Sequence, residues 1–444
     1  MKEAIDYYHD LIAQPAFLES AIETLQAESE RLSVAGRPTC NVLRPCLINE
    51  PTYFAIRKAA DSILHAIGTI GARLKTDAAL RKELDLTPEE EAVVQIDGGY
   101  GAPDVSARLD GFLTGQGDFH FVEYNADSPG GLGYGDALGE IFQRMPVMRE
   151  FGKRFPFRTF PVRSFTFTAL LSAYKRWGGK GLPTIAIIDW RDAPTLNEFF
   201  LFRDFFQARG CQVQIGSPED LHYDGTQLFL NDFPVDLIYK RVIVGELLQE
   251  FGLDHPLYQA VRDHAVCMVN GFGVQMLFKK IVFALLSNPK YQIAFNTETL
   301  QSIRKHIPWT RKLGESKTTY GSETVDLIPF VLTNRENIVL KPNGEYGGKG
   351  VLLGWQCDDS QWEAAIQAAL QSSYVVQERV ELGAEIYPSL IDGRLSFDER
   401  YFDLDPYVWN GNRAEGCGVR LSRLAILNVS AGGGSATPLF VIRK

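Results

Sequence analysis

The sequence predicts a mixed α/β (α+β) protein with a helical N-terminal region, and three stretches carry that prediction. One is a β-α-β run over 184–215. Another is an antiparallel hairpin over 106–125. The third is a strand, Ile338-Val339-Leu340, that opens into the glycine-rich loop Lys341-Pro-Asn-Gly-Glu-Tyr-Gly-Gly-Lys-Gly-Val351. Pro342 cannot donate to a ladder and ends the pairing. Gly347, Gly348 and Gly350 let the backbone approach a ligand closely and turn several N–H groups toward one point. Lys341 and Lys349 frame the loop in a way that suits a polyphosphate. Lys349 is followed by Gly350 rather than Ser or Thr, so this is not a P-loop.

The chain has 444 residues, enough for two to four domains, and its apolar share of 45% is ordinary for a globular protein. A formal net charge of −10 argues against a general nucleic-acid or acidic-membrane binder. A triphosphate site would then need a local basic cleft. The six cysteines are scattered without a CxxC pair, which reads as reduced thiols in a cytoplasmic protein and not as disulfides or a zinc site. No apolar run reaches membrane-spanning length, and the first residues lack a signal-peptide pattern.

Taken in order, residues 1–93 read as helices. Phe17, Ile22, Leu25 and Leu32 recur at helical spacing, and a helix from Pro51 to Leu74 would turn Phe54, Ile63, Ile67 and Ile70 inward. Thr87-Pro88-Glu-Glu-Glu is a helix start: a capping Thr, Pro in the first turn, then acids near the positive end. No chemistry is legible there, and packing or homodimer formation is the expected role. In the hairpin that follows, alternation puts Arg108 and Asp110 on one face and Glu123 and Asn125 on one face. If the faces coincide, two carboxylates and an amide oxygen converge as hard ligands suited to Mg2+; a solvated acidic face is the plain alternative. Asp127-Ser-Pro-Gly130-Gly131-Leu-Gly-Tyr-Gly-Asp136 leads into a helix ending near Met148, but its glycine spacing does not match a dinucleotide fingerprint.

Residues 159–265 read as an α/β unit. Its expected elements are a helix over 165–177, the strand Thr184–Asp189, a helix over 196–209, and the strand Cys211–Ile215, with parallel pairing and a right-handed crossover. Val235-Asp-Leu-Ile-Tyr-Lys240-Arg241 is a strand ending in two cations. Strand ends of this kind line ligand crevices, so the pair either holds a substrate carboxylate or serves the structure. A helix over 274–286 would carry Lys279 and Lys280, one of them facing a nucleotide. Tyr374–Glu378 is a strand, followed by a hinge and the acids Glu381 and Glu385.

Together these pieces resemble the ATP-grasp superfamily. The resemblance implies that Lys341 and the 347–350 loop hold phosphates and that backbone at Val380 beyond Glu378 holds adenine, with Glu385 on the ribose. Arg108-Leu-Asp110, Glu123-Tyr-Asn125 and Pro129-Gly130 match the family's metal motif, and Arg420 with Asn428 and Gly432-Gly433 matches a further conserved-type element of that pattern. The usual order places the metal motif after the phosphate loop, whereas here it comes first. The chain therefore resembles a circularly permuted ATP-grasp fold, similar to the synthetase domain of glutathionylspermidine synthase, without that group's Cys-dependent amidase. The implied domains are an N-terminal helical region (1–93), the metal-binding part of the core (94–158), a pre-ATP-grasp-like α/β domain (159–265) and ATP-binding lobes (266–444).

The implied activity is an ATP- and Mg2+-dependent carboxylate–amine ligase using two ions on Asp110, Glu123 and Asn125. Arg108, Arg420 and backbone N–H groups at Gly130 and Gly131 would stabilise the reacting centre, and Lys240, Arg241 and Asn428 would touch substrate. Its partners would be a small carboxylate and an amine, with neither nucleic acid nor membrane. A phosphotransferase on the same site and a non-catalytic nucleotide-binding protein are the alternatives.

Overall fold

Four short parallel strands realise the β-α-β run, in the order Cys267–Val269, Leu237–Lys240, Ile185–Ile188, Val213–Gly216. The first three are wholly buried, as expected of a parallel sheet covered on both faces, whereas the edge strand Val213–Gly216 buries only Val213. The helices Val162–Trp177 and Leu196–Gln207 bracket the strand Ile185–Ile188 in sequence. The computed structural model describes residues 1–443 except Pro103, Asp392, Gly393, Ile426 and 428–433.

The expected hairpin is the strand pair Ser106–Leu113 and Phe119–Asn125, with Asp110 directly opposite Glu123 and Arg108 opposite Asn125. The register slips after Asp110, so that Gly111 faces Phe121 and Val122 becomes the extra residue of a bulge. A Cβ at Gly111 would lie 2.7 Å from the Phe119 ring, which is why glycine stands there. The hairpin is extended on its other edge by Asp405–Trp409 and then Arg413–Gly418. A third sheet runs Thr310–Lys312, Tyr374–Glu378, Ile338–Pro342, Leu352–Leu353, all antiparallel. It packs its own small core of Leu340, Val376, Trp362 and Ile366.

The N-terminal region is mainly helical, but the helix Pro15–Ala27 ends before Leu32, which leads instead into the antiparallel strand pair Ser33–Val34 and Arg37–Pro38. The helix Glu50–Thr76 is capped by Asn49, whose side chain accepts from the Thr52 N–H, and Ile63, Ile67 and Ile70 are buried. Phe54, expected inside, is 48% exposed, because Tyr53 and Ile56 take the inward positions of that turn. Cys46–Asn49 is a strand rather than helix or loop. It pairs in parallel with Leu439–Ile442, which also pairs with Phe157–Arg158. The apolar faces of the first helix go to the chain's own core, where Tyr8 stacks edge-on against Phe151 and donates to the Leu43 carbonyl. The Thr87 capping box forms as expected with Glu90.

Two helices expected to be continuous are broken. The one after Gly131 runs Leu132–Arg144 and restarts at Pro146, since a proline ring cannot sit inside a helix. The one expected over 274–286 is two pieces, Gln275–Phe278 and Ile281–Ser287, with Lys279 extended at φ −62° and ψ 128°. Buried Asn343 closes this break: its carbonyl accepts from Lys280 N and its side chain from Ile281 N. The six cysteines form no disulfide.

The strand Leu439–Ile442 joins segments far apart in sequence, so its packing should set global stability. Phe440 is fully buried and stacks on Phe157 with centroids 4.8 Å apart. Phe440→Ala should lower the unfolding free energy by about 3–5 kcal/mol in urea titration, whereas Ile293→Ala, at a side chain 91% exposed, should stay within about 0.5 kcal/mol.

Candidate functional site

A single cavity of about 870 Å³ receives the bulged hairpin, the parallel sheet's strand ends, the glycine-rich loop and the segment after Glu378. Arg108, Asp110, Glu123 and Asn125 all line it, because the bulge leaves the two strand faces coincident. Asp110 is buried and held by two guanidiniums. Arg108 donates to it from Nε at 2.6 Å and Nη2 at 2.8 Å, and Arg420 from Nη2 at 2.7 Å. Burial alone would raise the Asp110 pKa, but Arg108 and then Arg420 outweigh it and hold the carboxyl at about 2.

Two acids that sequence reading missed complete this network. Asp403 accepts from Arg420 Nε at 2.7 Å, and Asp405 lies 3.1 Å from Arg420 and 3.6 Å from Arg108. Asp405 Oδ1 also accepts from Gly111 N at the bulge. They were invisible because Asp403-Leu-Asp405 carries no motif; only the alternation of acids entering a buried strand hinted at an inward polar face. Lys280 stands 3.6 Å from Glu123, and Lys341 donates to Gln377 Oε1 at 2.6 Å. The cavity floor, with Asp403 and Lys280 just behind its lining, thus sets four carboxylates, Asp110, Glu123, Asp403 and Asp405, against four cations, Arg108, Arg420, Lys280 and Lys341. This charge balance gives little pull on a bare cation. It suits a cation arriving together with a polyanion.

Asp110, Glu123 and Asn125 fit a hard cation in donor type and in facing one cavity. The Asn125 side chain lies beside Asp110, its amide nitrogen buried without a well-formed hydrogen bond. Among the described residues no group of three or more His, Cys, Asp or Glu side chains is arranged to hold a metal ion.

The loop after Pro342 needs its glycines: Gly347, Gly348 and Gly350 have φ of 64°, 77° and 70°, a region that side chains disfavour. Gly347 and Gly348 line the cavity. Lys349 does not; it is exposed and pairs with Glu345 at 3.1 Å. Tyr346 crosses to the other wall, where its hydroxyl donates to Glu246 at 2.6 Å. Burial, and next the neighbouring Lys280, lower the Lys341 pKa to about 8 against the pull of Glu123.

Several expected residues sit elsewhere. Of the lysine pair, only Lys280 reaches the floor. The helix break sends Lys279 to a buried salt bridge with Glu90 at 2.7 Å. Lys240 is fully buried against Asp127 and is unavailable to substrate, whereas Arg241 lines the cavity. Glu385 is taken by Arg44, a buried guanidinium that needs a counter-charge, and Glu381 lines the cavity in its place. Val380 lines the cavity beside Glu378, whose carboxylate accepts from Tyr320. Gly130 and Gly131 form the turn at the cavity wall, their carbonyls accepting from Arg108 and Tyr407 respectively. Asn428, Gly432 and Gly433 lie outside the described residues.

The chain superimposes on a glutathione synthetase-like effector from Globodera pallida with a TM-score of 0.61 and 12% identity, over 97% of this chain and 99% of that one. The two share a mixed α/β fold of helices and several sheets. In sequence it is 27% identical over 213 residues to a candidate glutamate–cysteine ligase 2-2 of Frankia casuarinae. It is 25% identical over 354 residues to an uncharacterized protein of Mycobacterium tuberculosis. These matches take in 45% and 74% of this chain but span only 23% and 59% of the two relatives' lengths. No family model matches the chain. No helix among the described residues is long and apolar enough to cross a membrane.

Asp189, on the wall opposite the floor, supplies a pH test. Burial raises its pKa to about 6. The native state therefore binds more protons than the unfolded chain between about pH 4 and 6. Stability is lost as pH rises through that window and stays lost above it. Asp189→Asn should accordingly raise the melting temperature over wild type at pH 7 and narrow that difference at pH 4, measured by calorimetry.

Proposed function

We propose that the protein is an ATP- and Mg2+-dependent ligase that joins a carboxylate to an amine through an acyl phosphate. The observation that supports this most is the meeting of Asp110, Glu123 and Asn125 with Lys341 and the left-handed glycines on one cavity, from segments widely separated in the chain. The Frankia relative's name, glutamate–cysteine ligase, points to the same reaction class.

In this reading two Mg2+ ions held by Asp110, Glu123 and Asn125 would neutralise phosphate charge. Lys341 and Lys280 hold phosphate oxygens as point charges. Arg108 and Arg420, held in place by Asp403 and Asp405, face the negative charge that develops as the phosphoryl group moves to the acid. Backbone N–H groups at Gly130 and Gly131 support the oxyanion when the amine attacks the acyl carbon and phosphate leaves. The glycine-rich loop covers the reacting groups and keeps water out, with Tyr346 as its anchor on the far wall. Backbone at Val380 holds the base, and Glu381 takes the place first expected of Glu385 near the ribose. No covalent nucleophile is required.

We read the order of these parts as a circular permutation. Residues 94–158 and 266–444 then form the nucleotide-binding core, 159–265 the substrate-binding unit, and 1–93 a helical support. Asp110→Asn should reduce ADP release at least a hundredfold, about 3 kcal/mol of barrier, in protein that has a lower melting temperature but is still folded at the assay temperature by circular dichroism; full activity would sink the mechanism. Incubating a panel of acids and amines with ATP and scoring product mass separates a ligase, whose amide product requires the amine, from a phosphotransferase, whose phosphorylated product does not.

A further inference from the structure

Opposite the charged floor, the cavity ends on the C-terminal edge of the parallel sheet, where a cation and two acids stand side by side. Asp189 follows the strand Ile185–Ile188 and Arg241 follows Leu237–Lys240; the strands are adjacent, and Arg241 N donates to Ile188 O at 2.8 Å. The Arg241 side chain is 3% exposed, yet it is weakly held. Its nearest polar partners are Glu198 at 3.5 Å and the Tyr239 hydroxyl at 3.4 Å, and its Nε has no partner. A buried guanidinium with unused donors costs free energy unless a ligand supplies acceptors.

The acids show the converse deficit. Asp189 accepts from Trp190 N at 2.8 Å, and Glu246 accepts from Trp190 Nε1 at 2.9 Å and Tyr346 at 2.6 Å. Among the described residues neither acid forms an ion pair, although both line the same cavity as Arg241. A ligand bearing only a carboxylate would satisfy Arg241 but face two unpaired acids. One bearing only an amine would leave the Arg241 Nε without an acceptor.

We propose that this end of the cavity is a zwitterion subsite, taking the ammonium-and-carboxylate end of an amino acid or short peptide. Arg241 receives the carboxylate, and Asp189 with Glu246 receives the ammonium between the Trp190 and Tyr346 rings. The inference rests on the ligase reading for its place in catalysis and names one substrate class of that reading. Because Tyr346 belongs to the glycine-rich loop and bonds Glu246, an ammonium at Glu246 sits directly beneath the loop's anchor.

The test is calorimetric binding of the twenty L-amino acids to the full chain, each compared with its N-acetyl and carboxamide derivatives. At least one free amino acid should bind, and each blocked form should bind at least tenfold more weakly. Asp189→Asn should remove most of the penalty for N-acetylation while keeping that for amidation, and Arg241→Met should do the reverse. If Arg241→Met does not fold, Asp189→Asn carries the test alone. Binding of no amino acid, or equal binding of blocked forms, overturns the proposal. A fluorescent ATP analogue titrated in parallel separates the two readings. Nucleotide binding without amino-acid binding removes only the subsite, and amino-acid binding without nucleotide binding removes the ligase.

Discussion

The buried ionic network around Asp110 is the constraint on which the rest of the site depends. Asp110, Asp403 and Asp405 are each at most 5% exposed, and they are compensated chiefly by Arg108 and Arg420, with backbone donors at Gly111 and Arg420. Burying such charges is favourable only when all partners arrive together, and removing one strands the others. The partners come from the hairpin at 106–125 and from strands beyond residue 400, 310 positions apart for Arg420 and Asp110. The antiparallel pairing of Asp405–Trp409 with Ser106–Leu113 is therefore as much a requirement of the electrostatics as of the ladder. The bulge at Gly111 belongs to the same solution, since it frees a backbone N–H for Asp405 and brings Glu123 opposite Asp110.

From that floor the cavity reads as two chemistries facing each other. One side balances charge, the end proposed for a polyanion with its cation. The other sets Arg241, paired only with Glu198 at 3.5 Å among the described residues, beside two carboxylates that form no ion pair there, the end proposed for a ligand that carries both signs. The glycine-rich loop spans the two, rooted by Asn343 at the Lys279–Lys280 break and anchored by Tyr346 on Glu246.

Much of this was legible in the residues. Alternation alone placed Arg108, Asp110, Glu123 and Asn125 correctly, because a two-residue period survives a bulge that falls beyond Asp110. The loop glycines were legible because only glycine tolerates three left-handed positions in four residues. What escaped was long-range neutralisation. Nothing near Lys240, Lys279 or Glu385 shows that Asp127, Glu90 and Arg44 will claim them, since those partners are set by tertiary packing. The helix break between Lys279 and Lys280 escaped for the same reason: its local sequence is apolar and helix-compatible, and only the distant Asn343 makes the interruption favourable. The strand Cys46–Asn49 was masked by the strong helical texture around it.

The pairing of Cys46–Asn49 with Leu439–Ile442 carries a consequence for how the chain is made. Residue 46 leaves the ribosome long before its neighbour strand is translated, so this sheet, and with it the junction of Phe157–Arg158, closes only after residue 442 has emerged. Until then Cys46–Asn49 and Phe157–Arg158 must wait with an apolar edge uncovered, the condition in which holding chaperones act. Contacts closing loops of this length are also slow to form. A pause in synthesis before residue 442 would therefore leave a nascent chain in which this sheet is still open.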